Sequence, residues 1–404
     1  MGGTHGHGHA PGHGHAPGQR VPGAVPERAR RLIVAVLLPL MLLTAAGLVL
    51  LWPTERPSAS DPNEALRRGG TVTELRPAGC GQRAAPRCDT ALVRLDDGPA
   101  GAAAVPARIP AGPGAPQLRI GDRIVVVETA EADGGTGYAV LDHQRGRPLL
   151  VLVLAVALAV IGFARWRGLA ALAGLAVSFA VLLLFVLPAI GTGEPPLLVA
   201  VVGSAAIMFA VLYLTHGVSA QTSVAVLGTL ASLVLTGVLG AVSIAATRLT
   251  GFGSEEASRL AVQLGEVDVR GLLLAGVIIG TLGVLDDVTV TQTAIVTELA
   301  AADPGLSRRG LYRAASRIGR AHIAATVNTI VLAYAGATLP LLLLVSVSGL
   351  SVGTTLTSEF IAQEVVRTAV GTLGLVAAVP LTTGLAALVT APGAANGATR
   401  GRRR

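Results

Sequence analysis

Two adjacent carboxylates interrupt a long apolar run at Gly283-Val284-Leu285-Asp286-Asp287-Val288-Thr289-Val290-Thr291-Gln292-Thr293, and Glu298 follows further along the same segment. An aspartate at the centre of a membrane helix costs about 2.5 to 3.5 kcal/mol on insertion scales, so a pair there calls for a reason. At about 100° per residue, Asp286, Thr289, Thr293 and Thr297 share one helical stripe, and Asp287, Thr291 and Glu298 fall on the neighbouring one. Leu285, Val288, Ile295, Val296 and Leu299 form the opposite arc, which can face lipid, with Gln292 as its polar exception. The chemistry this suggests is a proton or cation site at Asp286 and Asp287, with Thr289, Thr291, Thr293 and Asn328 lining a route and Glu298 near its cytoplasmic exit. The competing reading is structural, with carboxylates paired to Arg or hydrogen-bonded between helices. Aspartyl-protease chemistry is disfavoured, because neighbouring residues on one helix point about 100° apart and cannot share one water.

Possible partners for the acids lie in His322 to Pro340, where Asn328 and Tyr334 are hard to bury in lipid unpartnered. His322 is read as a snorkelling or capping residue beside Arg320. Arg309, Arg313, Arg317 and Arg320 recur every three to four residues, the pattern of a basic amphipathic helix lying on an anionic inner leaflet, with phosphate recognition as the lesser reading. Arg367 can pair with Glu364 or with an acid on another helix. His5, His7, His9, His13 and His15 alternate with Gly near the start of the chain. They read either as a flexible wrap for a divalent ion or as a low-complexity tail with incidental metal affinity. No other cofactor is expected.

These residues need elements to hold them, and composition says which. Of the 404 residues 51% are hydrophobic, 14% charged and 3% aromatic, against roughly 25% charged in an ordinary soluble domain. Mean hydropathy is +0.64. A disordered chain, a collagen and a typical cytosolic enzyme are excluded. The absence of Lys removes Schiff-base chemistry and the P-loop. There is no GxSxG, HExxH or Cys-x-x-Cys pattern, and the chain is expected not to be an enzyme.

Eight runs are long enough to cross a bilayer: Leu32 to Trp52, Pro148 to Phe163, Leu169 to Ile190, Pro196 to Thr215, Thr222 to Thr247, Leu272 to about Val296, Ile323 to Val347, and Val365 to Thr390. The second is short. With the N-terminus inside, the inner segments carry 15 Arg against two acids, Glu27 and Asp303. The outer segments carry 16 Arg and 19 acids, so the positive-inside rule places both termini in the cytoplasm at a plasma (inner) membrane. The first span exceeds the usual 7 to 15 apolar residues of a signal peptide and reads as a retained anchor, although Ser58-Ala59-Ser60 resembles a cleavage site.

The expected organisation is therefore a basic, His/Gly-rich tail over 1–31, a first span over 32–52, an extracytoplasmic β-domain over 53–147, a seven-helix bundle over 148–390, and a basic tail over 391–404. Strand-like runs at Thr71 to Leu75, Ala91 to Leu95, Val105 to Ile109, Leu118 to Glu128 and Tyr138 to Asp142 suggest a small β-barrel, OB-like, inserted between helices 1 and 2. Ile120-Gly121-Asp122-Arg123 reads as a tight turn entering a buried strand. Cys80 and Cys88 are the only cysteines and read as a disulfide in an oxidising compartment, against the alternatives of two unrelated thiols or a metal site.

Taken in order, several short stretches resemble the YibE/F family of bacterial membrane proteins. They are Leu214-Thr215-His216-Gly217, Leu227-Gly228-Thr229-Leu230, Gly283 to Thr289, Ile318-Gly319-Arg320, Asn328-Thr329, Leu332-Ala333-Tyr334, Leu339-Pro340, Glu364-Val365-Val366-Arg367 and Val379-Pro380-Leu381-Thr382-Thr383. The resemblance runs over roughly residues 70 to 390, and the Arg-only, Ala-rich composition looks like an actinobacterial member. It implies a multi-span bundle with a small extracytoplasmic β-domain, and a permease-like description that is itself an inference. Family members often place an acid before the His of the seventh span, where this chain has Ala321. The leading expectation is a permease for an ion or small solute. The alternative is a non-transporting scaffold or sensor whose β-domain binds an envelope partner. The bilayer, a small solute or ion, and an envelope protein are the partners expected, and nucleic acid is not.

Overall fold

The computed structural model describes residues 26–54, 67–77, 89–97, 104–112, 114–130, 136–265, 268–347, 349 and 351–390. Cys80, Cys88 and the five His of the tail lie outside them. The chain forms two compact units, Pro57–Leu169 and a second made of Met1–Arg56 with Ala170–Arg404.

The first unit contains five strands: β1 (Arg67–Pro77), β2 (Asp89–Leu95), β3 (Val105–Arg108), β4 (Arg123–Ala130) and β5 (Thr136–His143). They close into a barrel in the order β1-β2-β3-β5-β4, antiparallel except for the β3–β5 pair, with β4 returning to β1. Alternation drives the closure. Val72, Ala91, Val93, Ala107, Ile124, Val126 and Val140 point inward and form one buried cluster. The predicted fourth strand begins five residues later than its apolar run, at Arg123. Gly121 adopts φ +94° and the Asp122 carboxylate accepts the Arg119 amide at 2.7 Å, making the turn that precedes the strand.

Helix α2 (Gly146–Val181) follows the barrel, and a π-helical turn (Leu182–Val186) and α3 (Leu187–Gly191) extend it. Its backbone leaves the helical region at Arg165 (φ 53°, ψ −127°). The second unit holds α1 (Glu27–Leu50), α4 (Pro196–His216), α5 (Ala220–Ala246), α6 (Glu255–Leu264), α7 (Val269–Ala302), α8 (Arg308–Ala337), α9 (Leu339–Val347), α10 (Val352–Leu356) and α11 (Glu359–Val389). Side-chain caps set several starts: Ser219, Asp268 and Ser307 accept the amides of Thr222, Gly271 and Gly310 at 2.8 to 3.1 Å.

Six helical stretches among the described residues are long and apolar enough to cross a membrane: Glu27–Leu50, Gly146–Gly191, Pro196–His216, Ala220–Ala246, Val269–Ala302 and Glu359–Val389. Eight spans were predicted, and the difference has two sources. Pro148 to Phe163 and Leu169 to Ile190 fall in the one 46-residue stretch, interrupted at Arg165. At 1.5 Å per residue it is roughly twice the length that a bilayer core of about 30 Å accepts. The predicted seventh span, Ile323 to Val347, is divided between α8 and α9, because Pro340 brings no amide and disfavours helix before it. The basic segment predicted to lie on the leaflet is instead the first half of α8, and it packs into the bundle through buried Leu311, Ala315 and Gly319.

Registers across the bundle follow from close approaches. A Cβ on Gly237 would meet Ile278, and one on Gly374 would meet Thr236, so α5 runs antiparallel to both α7 and α11. Thr281 lies against Gly371 as Gln292 does against Thr383, so α7 and α11 run parallel. Helix α8 returns antiparallel to both, with Gly319 opposite Gln292 and Val379, and Tyr312 opposite Gly384. The turn at 216–220, the turn at 303–307 and the end of α11 therefore share one end of the bundle.

Candidate functional site

The predicted polar stripes of α7 do not all face one way. Thr289 and Thr293 are buried, Asp286 and Thr291 are half-buried, and Asp287 and Glu298 are exposed. The arc that can face lipid by sequence meets protein instead. Leu285, Val288 and Val296 are buried in the bundle, and so is Gln292, which is 0% exposed. Helix α7 sits centrally, packed by α4, α5, α8 and α11, so its apolar arc meets protein. The strip left open is Gly276, Gly280, Gly283 and Asp287.

At the level of Gln292 four helices meet in one polar layer. Thr289 Oγ1 of α7 lies 2.6 Å from Thr229 Oγ1 of α5. Thr383 Oγ1 of α11 donates to Gln292 Oε1 at 2.9 Å. Gly228 lies against Thr382, where a Cβ would come within 3.0 Å of its Cγ2. Gly319 of α8 brings bare backbone over the Gln292 amide, since a Cβ there would stand 2.7 Å from Nε2 and 2.9 Å from Oε1. Glycine is required at both positions by this close approach.

Three buried polar atoms in and beside this layer have no hydrogen-bond partner among the described residues: Gln292 Nε2, Thr382 Oγ1 and Asp286 Oδ1. Native interiors leave few such groups, and each asks for an explanation. Four further hydroxyls are satisfied locally. Ser232, Thr236, Thr281 and Thr297 donate to carbonyls of their own helices at 2.8 to 2.9 Å. Below the layer, Thr293 and Thr297 line a cavity of about 180 Å³ together with Ala220, Gln221, Val224, Ala386, Val389 and Thr390. It sits at the bundle end defined above, and neither aspartate lines it.

On the other side of α7, Asp287 is 72% exposed and its Oδ2 stands 4.0 Å from His322 Nε2 of α8. That separation is beyond direct hydrogen-bond reach. The antiparallel α7/α8 register brings them opposite, so His322 faces an acid rather than serving as a terminal cap. Asn328 is exposed on α8 and makes no hydrogen bond among the described residues, so it is not part of the threonine layer. Tyr334 is half-buried, its hydroxyl 3.5 Å from where a Gly280 Cβ would be. Arg367 pairs with Glu364 at 2.7 Å, one of the two predicted partners.

Sequence reasoning missed Thr229, Thr382 and Thr383, and set Gln292 aside as an exception. The signal was available, because Leu227 to Leu230 and Val379 to Thr383 stood out as family-like stretches and carry these polar residues.

No curated protein and no solved structure matches the chain. Residues 152–392 match the family described as YibE/F-like protein. That stretch spans the helices of the polar layer and more than half of the chain, and the protein is a membrane-embedded member of the YibE/F-like family.

Proposed function

We propose that this YibE/F-like protein is a permease-like transporter for an ion or small solute, not an enzyme, with protons or cations handled along α7 at Asp286 and Asp287. The observation that carries the reading is the set of unpartnered buried atoms, Asp286 Oδ1, Gln292 Nε2 and Thr382 Oγ1, in and beside a layer built by α5, α7, α8 and α11. Polar groups without protein partners at membrane depth are available to a passing solute, ion or water. His322 beside Asp287 adds a second protonatable group to the same region. The bundle end holding the 216–220 and 303–307 turns is the cytoplasmic one in this reading. Both termini are then cytoplasmic at the plasma membrane, and the five-stranded barrel is an extracytoplasmic OB-like domain. With the 46-residue stretch crossing twice and α8 with α9 crossing once, the spans number eight.

A second reading has a specific observation behind it. Gly228 against Thr382 and Gly374 against Thr236 are contacts typical of close helix packing, and they suit a bundle that anchors a scaffold or sensor.

Proton flux separates the two. The purified chain in proteoliposomes loaded with a pH-sensitive dye, driven by a potassium diffusion potential, should conduct protons or a coupled cation. Asp286→Asn and Asp287→Asn should each reduce pH-dependent flux about tenfold while leaving helicity and thermal stability intact. Flux unchanged in both variants would sink the transporter reading. A partner that co-purifies only when residues 60–145 are present would favour the scaffold.

A further inference from the structure

A groove of about 560 Å³ runs between α8 and α11. Its α8 wall carries Arg313, Arg317 and Arg320, spaced i, i+4 and i+7, so three guanidinium groups are distributed over about 10 Å of one helix face. Its α11 wall is apolar: Val376, Val379 and Pro380. Arg313, Arg317 and Arg320 form no ion pair among the described residues, in contrast to Arg31, Arg68, Arg259 and Arg367, which all do. Ser316, which lines the groove between them, has a buried hydroxyl with no hydrogen-bond partner. Pro380 supplies no amide to the carbonyl four residues before it, so Val376, also in the lining, keeps a carbonyl free of its helical donor.

We propose that this groove binds an anionic phospholipid, with the headgroup phosphate held by Arg313, Arg317 and Arg320 and an acyl chain lying along Val376, Val379 and Pro380. Planar guanidinium groups suit phosphate oxygens, and basic pockets between membrane helices on the cytoplasmic side are the places where anionic headgroups dock. Charge complementarity selects an anion. The adjoining apolar wall favours a phosphate that carries a hydrocarbon tail over free phosphate. This site is separate from the Asp286 region and does not depend on transport, although its cytoplasmic position rests on the orientation proposed above.

Native mass spectrometry of the full chain, delipidated in detergent and titrated with phosphatidylglycerol or phosphatidylcholine, tests the proposal. Phosphatidylglycerol should be retained at least tenfold better than phosphatidylcholine. Arg317→Gln/Arg320→Gln should abolish that preference, whereas Arg308→Gln/Arg309→Gln, with the same loss of charge outside the groove, should keep it. Val376→Phe leaves every Arg in place and should still displace the lipid by filling the apolar wall. Equal loss in the two double variants, or full retention in Val376→Phe, overturns the groove as the site. Displacement of phosphatidylglycerol by millimolar inorganic phosphate at parity would assign the Arg row to free phosphate and overturn the lipid.

Discussion

Replacing Gln292 by Leu and Thr383 by Val, singly and together, tests whether the buried amide is held by the fold or merely tolerated by it. In the native layer one end of the amide is satisfied by the Thr383 hydroxyl at 2.9 Å, and the other end has no partner. Thr383→Val removes the only donor among the described residues and leaves both ends unpaired there, which should cost about 1 to 3 kcal/mol. Gln292→Leu removes an amide already half unsatisfied. Thr383 can then turn to the carbonyl four residues back, as Thr229, Thr297 and Thr390 do, so stability should change by less than about 1 kcal/mol. The double variant leaves no polar group stranded and should be more stable than Thr383→Val alone, a favourable coupling of about 1 to 2 kcal/mol. Reversible unfolding in mixed detergent and SDS micelles, followed by far-UV circular dichroism, gives the four stabilities. If Gln292→Leu proves the most damaging of the three, the amide is fully engaged in the native state, and if the two single effects simply add, Thr383 and Gln292 are not coupled; either result refutes the reasoning. Flux measured on the same variants separates roles, since a stable but inactive Gln292→Leu points to a solute contact.

Gly228→Ala places a methyl against the Thr382 side chain between two packed helices, and overpacking there should cost about 1 to 3 kcal/mol in the same unfolding assay. In the barrel, the Arg145 guanidinium, assisted by the His143 amide, holds the Asp142 carboxyl below the usual carboxylate range. A carboxyl depressed in the folded state contributes stability above its unfolded value of about 3.9, and the contribution fades as pH falls through the folded value. Hydrogen exchange of β5 peptides in the full chain should therefore show Asp142→Asn less protected than wild type at pH 5 to 7, with the gap closing below about pH 4. A gap that widens in acid would reverse the sign of the argument.

The barrel was legible because each strand announces itself locally. Ala91 with Val93 and Ile124 with Val126 alternate with outward residues, and turn residues bracket them. The spans were legible by length, whereas their division into helices was legible only in part. The interruption at Arg165 falls in the charged gap between the second and third predicted spans, whereas the α8/α9 break before Pro340 depends on backbone geometry that hydropathy does not register. The site was half legible. Asp286 and Asp287 stood out because charge is costly in lipid, whereas Thr229 and Thr383 looked like ordinary small residues in apolar runs. What makes those two matter is register between helices some 60 to 90 residues apart in sequence, and a stripe drawn on one helix holds no information about that. That the apolar arc of α7 meets protein and not lipid has the same origin, because an apolar arc fits lipid and a neighbouring helix equally well.

The Thr229–Thr289 contact carries an arithmetic of its own. Thr229 Oγ1 lies 3.0 Å from the Ala225 carbonyl and 2.6 Å from Thr289 Oγ1, which in turn lies 3.0 Å from the Asp286 carbonyl. Two hydroxyls bring two protons to three contacts. Both carbonyls belong to helical turns and have backbone donors, so either can do without the hydroxyl. The pair thus has two donor arrangements, one with the shared proton supplied by α5 and one with it supplied by α7. Exchanging them reverses a local dipole between the two helices without moving a heavy atom. The centre of the bundle holds a reversible polarity next to the backbone of Asp286, and an infrared hydroxyl band lost in both Thr229→Val and Thr289→Val would be its signature.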